Sequence, residues 1–470
     1  MQKSRLLELF KSLNKIEVKK LRKWVRSPFF NQREDVILLF DYLEKNRPFE
    51  KLDRLHRAYI FSKIFPKEKY NEKKIGYAQS FLLAEIKKFI AYEEFTNNEM
   101  RPQIYLTRSL RKRGLNRHFE SEWKNANVLL EKQPIRNSDY HFFNYQLQNE
   151  QYEFTNNLSR KQPKGLQEAS NELTNYFIAQ KLKQSCDKLS HQKLIGADYQ
   201  QDFITMVLHF LKNNKTPNSS AVEIYYQSYK TLSETDDISH YNNLKEKLKK
   251  EAFKFPKSEL YYLYLVAINY CIKQLNAGKS YFSTEVLDLY KEGLKQEVFI
   301  INGFLDRFTY NNIVAAAIHL KEFIWVENFI YEYKDKLKIE WREDWFNYNL
   351  TVLYCNLPNY DKAMNLLQQA EFDDIFLKIA TRKMLLKIYF DLEEFNALES
   401  LLDSFHRFLT RHSKDLGYHQ LVYLNFIKFV RRLLQTPKFD KVARENLKIE
   451  IDSTKELADK KWLIEKLNIS

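Results

Sequence analysis

The sequence is poor in the two residues that most often interrupt regular structure. Its 470 residues include only 8 Gly and 10 Pro, whereas average usage gives about 33 Gly and about 24 Pro at this length. Because Gly and Pro dominate turns, their scarcity favours long helices joined by short connections. No stretch shows sustained alternation of apolar and polar residues between turn signals. We therefore expect an all-α chain without strands.

Polar and proline-containing breaks divide the chain into three predicted regions. The segment 213–220, NNKTPNSS, is the most polar and turn-rich, and we place the main boundary there. A further break lies at Gln162-Pro163. The three regions are a basic N-terminal helical domain (1–97), a helical middle region (98–215) and a C-terminal region of helical repeats (221–470).

Two residue pairs have the spacing of a helix-capping box, in which a Ser and a Glu three positions later cap each other's backbone. They are Ser220 with Glu223 and Ser453 with Glu456. The first pair predicts the start of the helix that follows the boundary. The second predicts the start of the last helix.

The C-terminal region repeats a pattern every 35 residues. Three aromatic residues follow short polar breaks at this spacing: Trp325, Tyr360 and Phe395. Six residues upstream of each lies another ring: His319, Tyr354 and Tyr389. An apolar helical pattern precedes each break and a second one follows it. Since one helical hairpin cannot bury its apolar face alone, neighbouring hairpins are expected to stack.

This pattern resembles the tetratricopeptide repeat, a 34-residue helix–turn–helix unit. The middle unit, NYDKAMNLLQQA, carries the resemblance through four residues at family positions: Tyr360, Ala363, Leu367 and Ala370. The resemblance covers about residues 310–406 and is degenerate elsewhere. It implies a right-handed α-α superhelix of helical hairpins that follows the N-terminal helical domain. A helical bundle without repeats is the other interpretation.

The same resemblance implies a concave groove lined by the first helix of each hairpin. In the middle unit the matching residues are Trp345, Tyr348, Val352, Cys355 and Asn356. In the next unit they are Lys383, Lys387 and Phe390. The two lysines would pair with acidic side chains or a carboxylate of a partner.

Basic residues are concentrated at the N-terminal end, because residues 1–150 carry +12 of the total net charge of +15. The first basic run includes Lys19, Lys20, Arg22, Lys23 and Arg26, and the second includes Arg108, Arg111, Lys112, Arg113 and Arg117. Such runs would neutralise phosphates. The aromatic residues near them in sequence would stack on unpaired bases: Trp24, Phe29, Phe30, Tyr105 and Phe119. The alternative is a pair of solvated helix faces with the aromatic residues in the core.

Residue types that support catalysis or metal binding are scattered. The 3 Cys are far apart, without disulfide or metal-ligand spacing. Gly278-Lys279-Ser280 lacks the earlier Gly and the strand of a phosphate-binding loop. We therefore expect no catalytic residue, no cofactor and no metal.

The sequence also suggests a location. Sparse free cysteines are typical of a reducing compartment. The N-terminal residues lack the apolar segment of a secretory signal, and the apolar stretch 260–272 is too short to span a bilayer. We expect a cytoplasmic protein without a membrane span.

Two hypotheses for function follow. The first is a non-enzymatic cytoplasmic α-solenoid scaffold or adaptor that binds a protein or peptide partner. The alternative is an RNA- or DNA-binding adaptor that uses the basic N-terminal region within a larger ribonucleoprotein or transcription assembly.

Overall fold

A computed structural model of the chain describes residues 4–158, 164–195, 197–200, 203–213, 219–357, 359–369, 372, 374–417, 419–437 and 439–468. These residues form 24 α-helices and one hairpin of two short strands. The fold is therefore all-α. The predicted break at Gln162-Pro163, position Ala370 of the repeat and most of the predicted boundary 213–220 lie outside the described residues.

The α-helices of the first half, in chain order, are α1 (Arg5–Ser12), α2 (Lys15–Val25), α3 (Glu34–Lys45), α4 (Arg57–Ile64), α5 (Glu72–Asn97), α6 (Met100–Lys112), α7 (Asn116–Lys132), α8 (Ser138–Leu158), α9 (Leu166–Ile195), α10 (Ile204–Asn213), α11 (Ser220–Ser233) and α12 (Ile238–Glu251). Those of the second half are α13 (Lys257–Asn276), α14 (Phe282–Lys295), α15 (Arg307–His319), α16 (Phe323–Glu332), α17 (Ile339–Asn356), α18 (Tyr360–Gln369), α19 (Ile375–Asp391), α20 (Phe395–Arg411), α21 (Ser413–Leu416), α22 (His419–Gln435), α23 (Lys441–Ser453) and α24 (Lys460–Asn468). Short 3-10 turns lie at Leu52–Leu55, Ala252–Lys254 and Lys334–Lys336.

The helices belong to two compact units. The first comprises residues 1–188 and 198–225, and the second comprises residues 189–197 and 226–470. The division into three regions at 1–97, 98–215 and 221–470 stays a prediction.

In the first unit, α1 to α5 surround an apolar core of their own. Each helix has one apolar stripe at helical spacing, and fully buried members of these stripes include Phe10, Leu21, Phe40, Ile60 and Leu82. Helix α2 begins at Lys15 because Asn14 and Glu17 form a capping box. The Asn14 side chain accepts from the Glu17 N–H at 2.9 Å, and the Glu17 carboxylate accepts from the Asn14 N–H at 2.6 Å.

In the second unit, three helical hairpins occupy the region of the 35-residue pattern. They are α15–α16, α17–α18 and α19–α20, and in each the two helices pack together. The first helices also pack in succession, α15 on α17 and α17 on α19. Each first helix ends with an N–H that donates to the carbonyl five residues earlier: Glu322 to Ala317, Asn359 to Tyr354 and Glu394 to Tyr389. This is the hydrogen bond of a Schellman helix end.

These helix ends correct the register of the first repeat. The sequence pattern aligned His319 with Tyr354, but the hydrogen bonds place Ala317 at the position of Tyr354. His319 is exposed, whereas Tyr354 is buried and donates to Glu327 at 3.1 Å. The apparent 35-residue spacing in that unit therefore came from His319, an aromatic residue that lies two positions after Ala317, the structural equivalent of Tyr354.

The prediction of no strands is wrong at one place. Ile300–Ile301 pairs with Phe304–Leu305 in an antiparallel hairpin. The two turn residues, Asn302 and Gly303, have φ values of 53° and 84°, which a two-residue type I′ turn requires. Since Asn-Gly is the strongest short-range hairpin signal, this element was predictable from the sequence.

Neither predicted capping box lies at the helix start that it was expected to cap. The Val222 N–H donates to the Ser219 hydroxyl at 3.3 Å, so Ser219 rather than Ser220 caps α11. Ser453 is the last residue of α23, seven positions before α24 begins. Local spacing alone therefore did not locate either helix start.

Candidate functional site

A pocket of about 400 Å³ lies between α17, α19 and the start of α24 in the second unit. One face of α17 contributes the side chains at i, i+4, i+7 and i+8, which lie on the same side of a helix: Tyr348, Val352, Cys355 and Asn356. The facing side of α19 contributes Lys383, Met384 and Lys387, and the C-terminal segment contributes Asp459 and Trp462.

Six of the residues predicted to face a groove line this pocket: Tyr348, Val352, Cys355, Asn356, Lys383 and Lys387. The other two do not. Trp345 is buried, and its ring packs edge-on against Phe308 with centroids 5.5 Å apart. Phe390 lines an adjacent pocket of about 240 Å³ and packs against Trp462 at 5.3 Å.

The two pocket lysines share one carboxylate of this chain. Lys383 Nζ lies 2.8 Å from Asp459 Oδ2, and Lys387 Nζ lies 3.1 Å from Asp459 Oδ1. Burial by itself would raise the pKa of Asp459, but the charges and hydrogen bonds of the two lysines outweigh it, and the pKa is lowered. Two ammonium groups on one carboxylate leave one positive charge in excess.

A second carboxylate in the pocket wall does not remove that excess. Asp391 Oδ1 lies 2.5 Å from Lys466 Nζ, and the Tyr360 hydroxyl donates to Asp391 Oδ2 at 3.1 Å. Asp391 is therefore balanced by its own lysine. The pocket is a cationic recess with aromatic and apolar walls.

We expect the contribution of Asp459 to stability to disappear in acid. An unfolded Asp has a pKa of about 3.9, and the folded pKa lies lower, so the carboxylate stabilises the fold above about pH 4. That contribution is lost as the pH falls through the folded pKa. Urea denaturation of the wild type and Asp459→Asn from neutral pH to about pH 3 checks this. The difference between them is expected to shrink with falling pH, and a constant difference would contradict the assignment.

Sequence inspection missed Asp459 and Trp462. They lie more than 70 residues beyond the lysines that they approach, and neither belongs to a motif. Asp459 immediately precedes α24, which is anchored by the buried residues Leu463 and Leu467. Only the packing of this last helix brings the two side chains to α19.

The cysteine in the pocket is not an activated nucleophile. Burial raises the pKa of the Cys355 thiol to about 11, against a smaller lowering effect of Lys387. Burial likewise raises the pKa of Cys271 to about 12. Both remain protonated near neutral pH, whereas a reactive cysteine is a thiolate. Among the residues that the structure describes, no cluster of His, Cys, Asp or Glu is arranged to hold a metal ion.

A Ser–His–Glu relay lies in the first unit. His141 Nδ1 is 2.6 Å from Glu172 Oε2, and His141 Nε2 is 2.7 Å from Ser219 Oγ. Serine hydrolases use such a relay. Here Ser219 is only 3% exposed and caps α11 through Val222, so its hydroxyl does not reach a substrate in this conformation. The relay joins α8, α9 and the start of α11.

The two predicted basic runs are partly neutralised by carboxylates of this chain. In the first run, Lys20 pairs with Glu93, Arg22 with Glu44 and Arg26 with Asp41, at 2.5 to 2.7 Å. In the second run, Arg108 and Arg111 both bind Glu150, at 2.6 and 2.7 Å. The remaining predicted contacts are exposed: Lys19, Lys23, Lys112, Arg113 and Arg117.

No helix within the described ranges is long and apolar enough to cross a membrane. Comparison of the chain with protein-family models gives no match, and comparisons with curated proteins and with solved structures give none either.

Proposed function

We propose that this chain is a non-enzymatic, cytoplasmic helical-repeat scaffold that binds a segment of a partner protein in the pocket between α17, α19 and α24. The observation that carries the proposal is the cationic recess itself, in which Lys383 and Lys387 share Asp459. The stacked hairpins α15 to α20 support the tetratricopeptide-like part of the proposal, because their first helices pack in succession and present one face as a continuous surface.

The walls of the pocket favour a particular kind of segment. Val352 and Met384 offer apolar surface, and Tyr348 and Trp462 offer rings. A pocket of about 400 Å³ accommodates a few side chains, since ligand pockets generally hold about 300 to 1,000 Å³. The excess positive charge favours an acidic side chain, and the walls favour apolar neighbours beside it.

Blocking the mouth of the pocket tests this function. Asn356 is exposed at the end of α17, so Asn356→Glu places a longer, acidic side chain at the opening, where it repels an acidic segment without disturbing the core. Asn276→Glu is the matched control, because Asn276 is also exposed at a helix end but lies at the end of α13. Both full-length variants are used as bait in nuclease-treated native extract.

We expect a partner retained by the wild type and by Asn276→Glu to be lost by Asn356→Glu. The double variant Tyr348→Ala with Lys387→Ala is expected to lose the same partner, since it removes a ring and a charge from the walls. Retention of every partner by both pocket variants would rule out the pocket as the binding site.

A further inference from the structure

The first unit presents several aromatic rings to solvent on one side. Phe29 is 87% exposed, and the other members are 38 to 61% exposed. We define the aromatic face by five residues: Phe29, Phe30, Tyr77, Phe81 and Tyr92. Exposed apolar patches of this kind commonly mark interaction sites.

Ring contacts through Trp24 connect three members of the aromatic face: Phe29, Phe30 and Tyr92. Phe30 stacks on Trp24 with centroids 3.6 Å apart and planes 10° from parallel. Phe29 lies edge-on to Phe30 at 5.0 Å, and Trp24 approaches Tyr92 at 5.4 Å. The face therefore continues from the α2–α3 turn onto α5.

Two polar contacts fix the position of this turn along α5. Trp24 Nε1 donates to Glu85 at 3.1 Å, and the Arg33 guanidinium lies 4.1 Å from the centroid of the Phe81 ring. Phe81 and Tyr92 are eleven residues apart, or about 16 Å along the helix axis. The rings thus span a strip long enough for several nucleotides.

The turn that carries Phe29 is held by a buried side chain. Asn31 donates from Nδ2 to the carbonyls of Val25 at 2.8 Å and Arg33 at 3.1 Å. Its Oδ1 accepts from the Arg33 N–H at 3.1 Å. These bonds hold the backbone of the turn that carries Phe29, which lowers the entropy cost of ordering the turn when a ligand binds.

The surroundings of the aromatic face are basic. Residues 1–97 contain 22 Lys and Arg against 13 Asp and Glu. Three exposed cations near the rings are each paired with a carboxylate of this chain: Lys20 with Glu93, Lys88 with Glu85 and Arg33 with Asp35. Between the first residue of α5 and Glu93, the single carboxylate is the buried Glu85. The net excess of Lys and Arg over residues 1–97 therefore favours an anionic partner.

The composition of the face indicates which anionic partner. On α5 and the adjoining turn, every large apolar side chain that is exposed is aromatic, without Leu, Ile or Met among them. Flat rings bordered by amines and guanidinium groups match the bases and phosphates of an unpaired strand. Double-stranded nucleic acid keeps the faces of its bases stacked inside, so it offers its backbone and base edges but no free base face for a ring to stack on.

We propose that the aromatic face binds single-stranded RNA or DNA, with bases stacked on Phe29 and Tyr92 and phosphates near Lys88 and Arg33. The site belongs to the first unit and uses no residue of the α17–α19 pocket. A negative result for the aromatic face therefore does not affect the proposal for the pocket, and the reverse also holds.

Fluorescence anisotropy with labelled oligonucleotides of about 12 nucleotides tests this proposal on the full-length protein. We expect single strands to bind at about 50 mM salt and matched duplexes to bind more weakly. Phe29→Ala and Tyr92→Ala are each expected to weaken single-strand binding about tenfold or more, because the loss of one base–aromatic stack lowers the affinity by about that factor. The matched control is Phe439→Ala, since Phe439 is also 87% exposed but belongs to the second unit.

A charge variant adds an independent readout. Lys88→Ala removes one phosphate contact, so the slope of log affinity against log salt is expected to fall by about 0.7. Comparing RNA and DNA strands of one sequence distinguishes the two sources of the ligand. The proposal is overturned if no single strand binds at low salt, if duplex binds as well as single strand, or if the ring variants bind like Phe439→Ala. Circular dichroism of each variant establishes that it is folded.

Discussion

Glu150→Ala is expected to destabilise the first unit by about 3–5 kcal/mol, because it removes one partner of a buried ionic cluster. The Glu150 side chain is only 2% exposed and accepts hydrogen bonds from Arg108 and Arg111. Without the carboxylate, Arg108 loses its counter-charge and Arg111 keeps only the more distant, exposed Glu153 at 3.9 Å. Urea denaturation measures the loss, and hydrogen exchange in α6 and α8 localises it.

A nearby carboxylate provides the control for this result. Glu153 is on the same helix, 3.9 Å from Arg111, but its side chain is 42% exposed. Because exposed ion pairs contribute about 0–1 kcal/mol, Glu153→Ala is expected to cost far less. Equal losses in the two variants would show that burial of Glu150 does not set its contribution.

Gly293→Ala is expected to destabilise the second unit by about 1–3 kcal/mol, because α14 has no room for a side chain there. A Cβ at this position would lie 2.3 Å and 2.8 Å from two carbons of the Phe299 ring. That ring is buried and packs against Tyr261, Tyr264 and Tyr290. It therefore cannot move aside without disturbing three other rings. Urea denaturation again provides the measurement.

Two further variants distinguish a steric clash with the Phe299 ring from the general effect of replacing glycine by alanine in a helix. Gly76 is inside α5, where a Cβ would meet no neighbouring atom within 4 Å, so Gly76→Ala is expected to stabilise by about 0.5–1 kcal/mol. Adding Phe299→Leu to Gly293→Ala is expected to cost less than the sum of the single changes. Strict additivity would contradict the proposed overlap with the ring.

The helical character was predictable because it depends on local patterns. Scarce turn formers and apolar stripes indicate helices wherever they occur, and the hairpins of the 35-residue pattern follow from them. Registers and boundaries were less predictable. His319 aligned with Tyr354 by ring type, although the backbone hydrogen bonds select Ala317. Ser453 had the spacing of a cap, yet α23 continues through it.

The candidate pocket was predictable only in part. Tyr348, Asn356 and Lys387 follow from helical spacing and from a resemblance that assigns a face to α17 and α19. Asp459 comes from a distant helix, and its role depends on packing. Spacing does not reveal which turns of a long helix a neighbour covers, which is why Trp345 was grouped with the groove although it packs on Phe308.

The basic runs show the limit of counting charge along a sequence. Arg108 and Arg111 appear as part of a cationic run that lacks acids, but their carboxylate is Glu150, about 40 residues later. The full aromatic face could not be predicted from the sequence either. Sequence proximity suggested Trp24 and Phe29 as stacking residues, whereas Phe81 and Tyr92 join them only because α5 packs beside α2.

Seven residues other than glycine adopt left-handed backbone angles within the described chain: Phe49, Phe203, Glu297, Asn302, Lys321, Glu393 and Asp459. Such a conformation costs about 1–2 kcal/mol for most of these residue types. At Asp459 the side chain is needed to hold two lysines, so glycine is no substitute there. At Lys321 and Glu393, which lie two residues after the ends of α15 and α19, glycine would form the same turns with less strain. Related sequences with the same fold can therefore carry glycine at these hairpin turns. The positions at which their helices end would then identify such relatives better than a low glycine content.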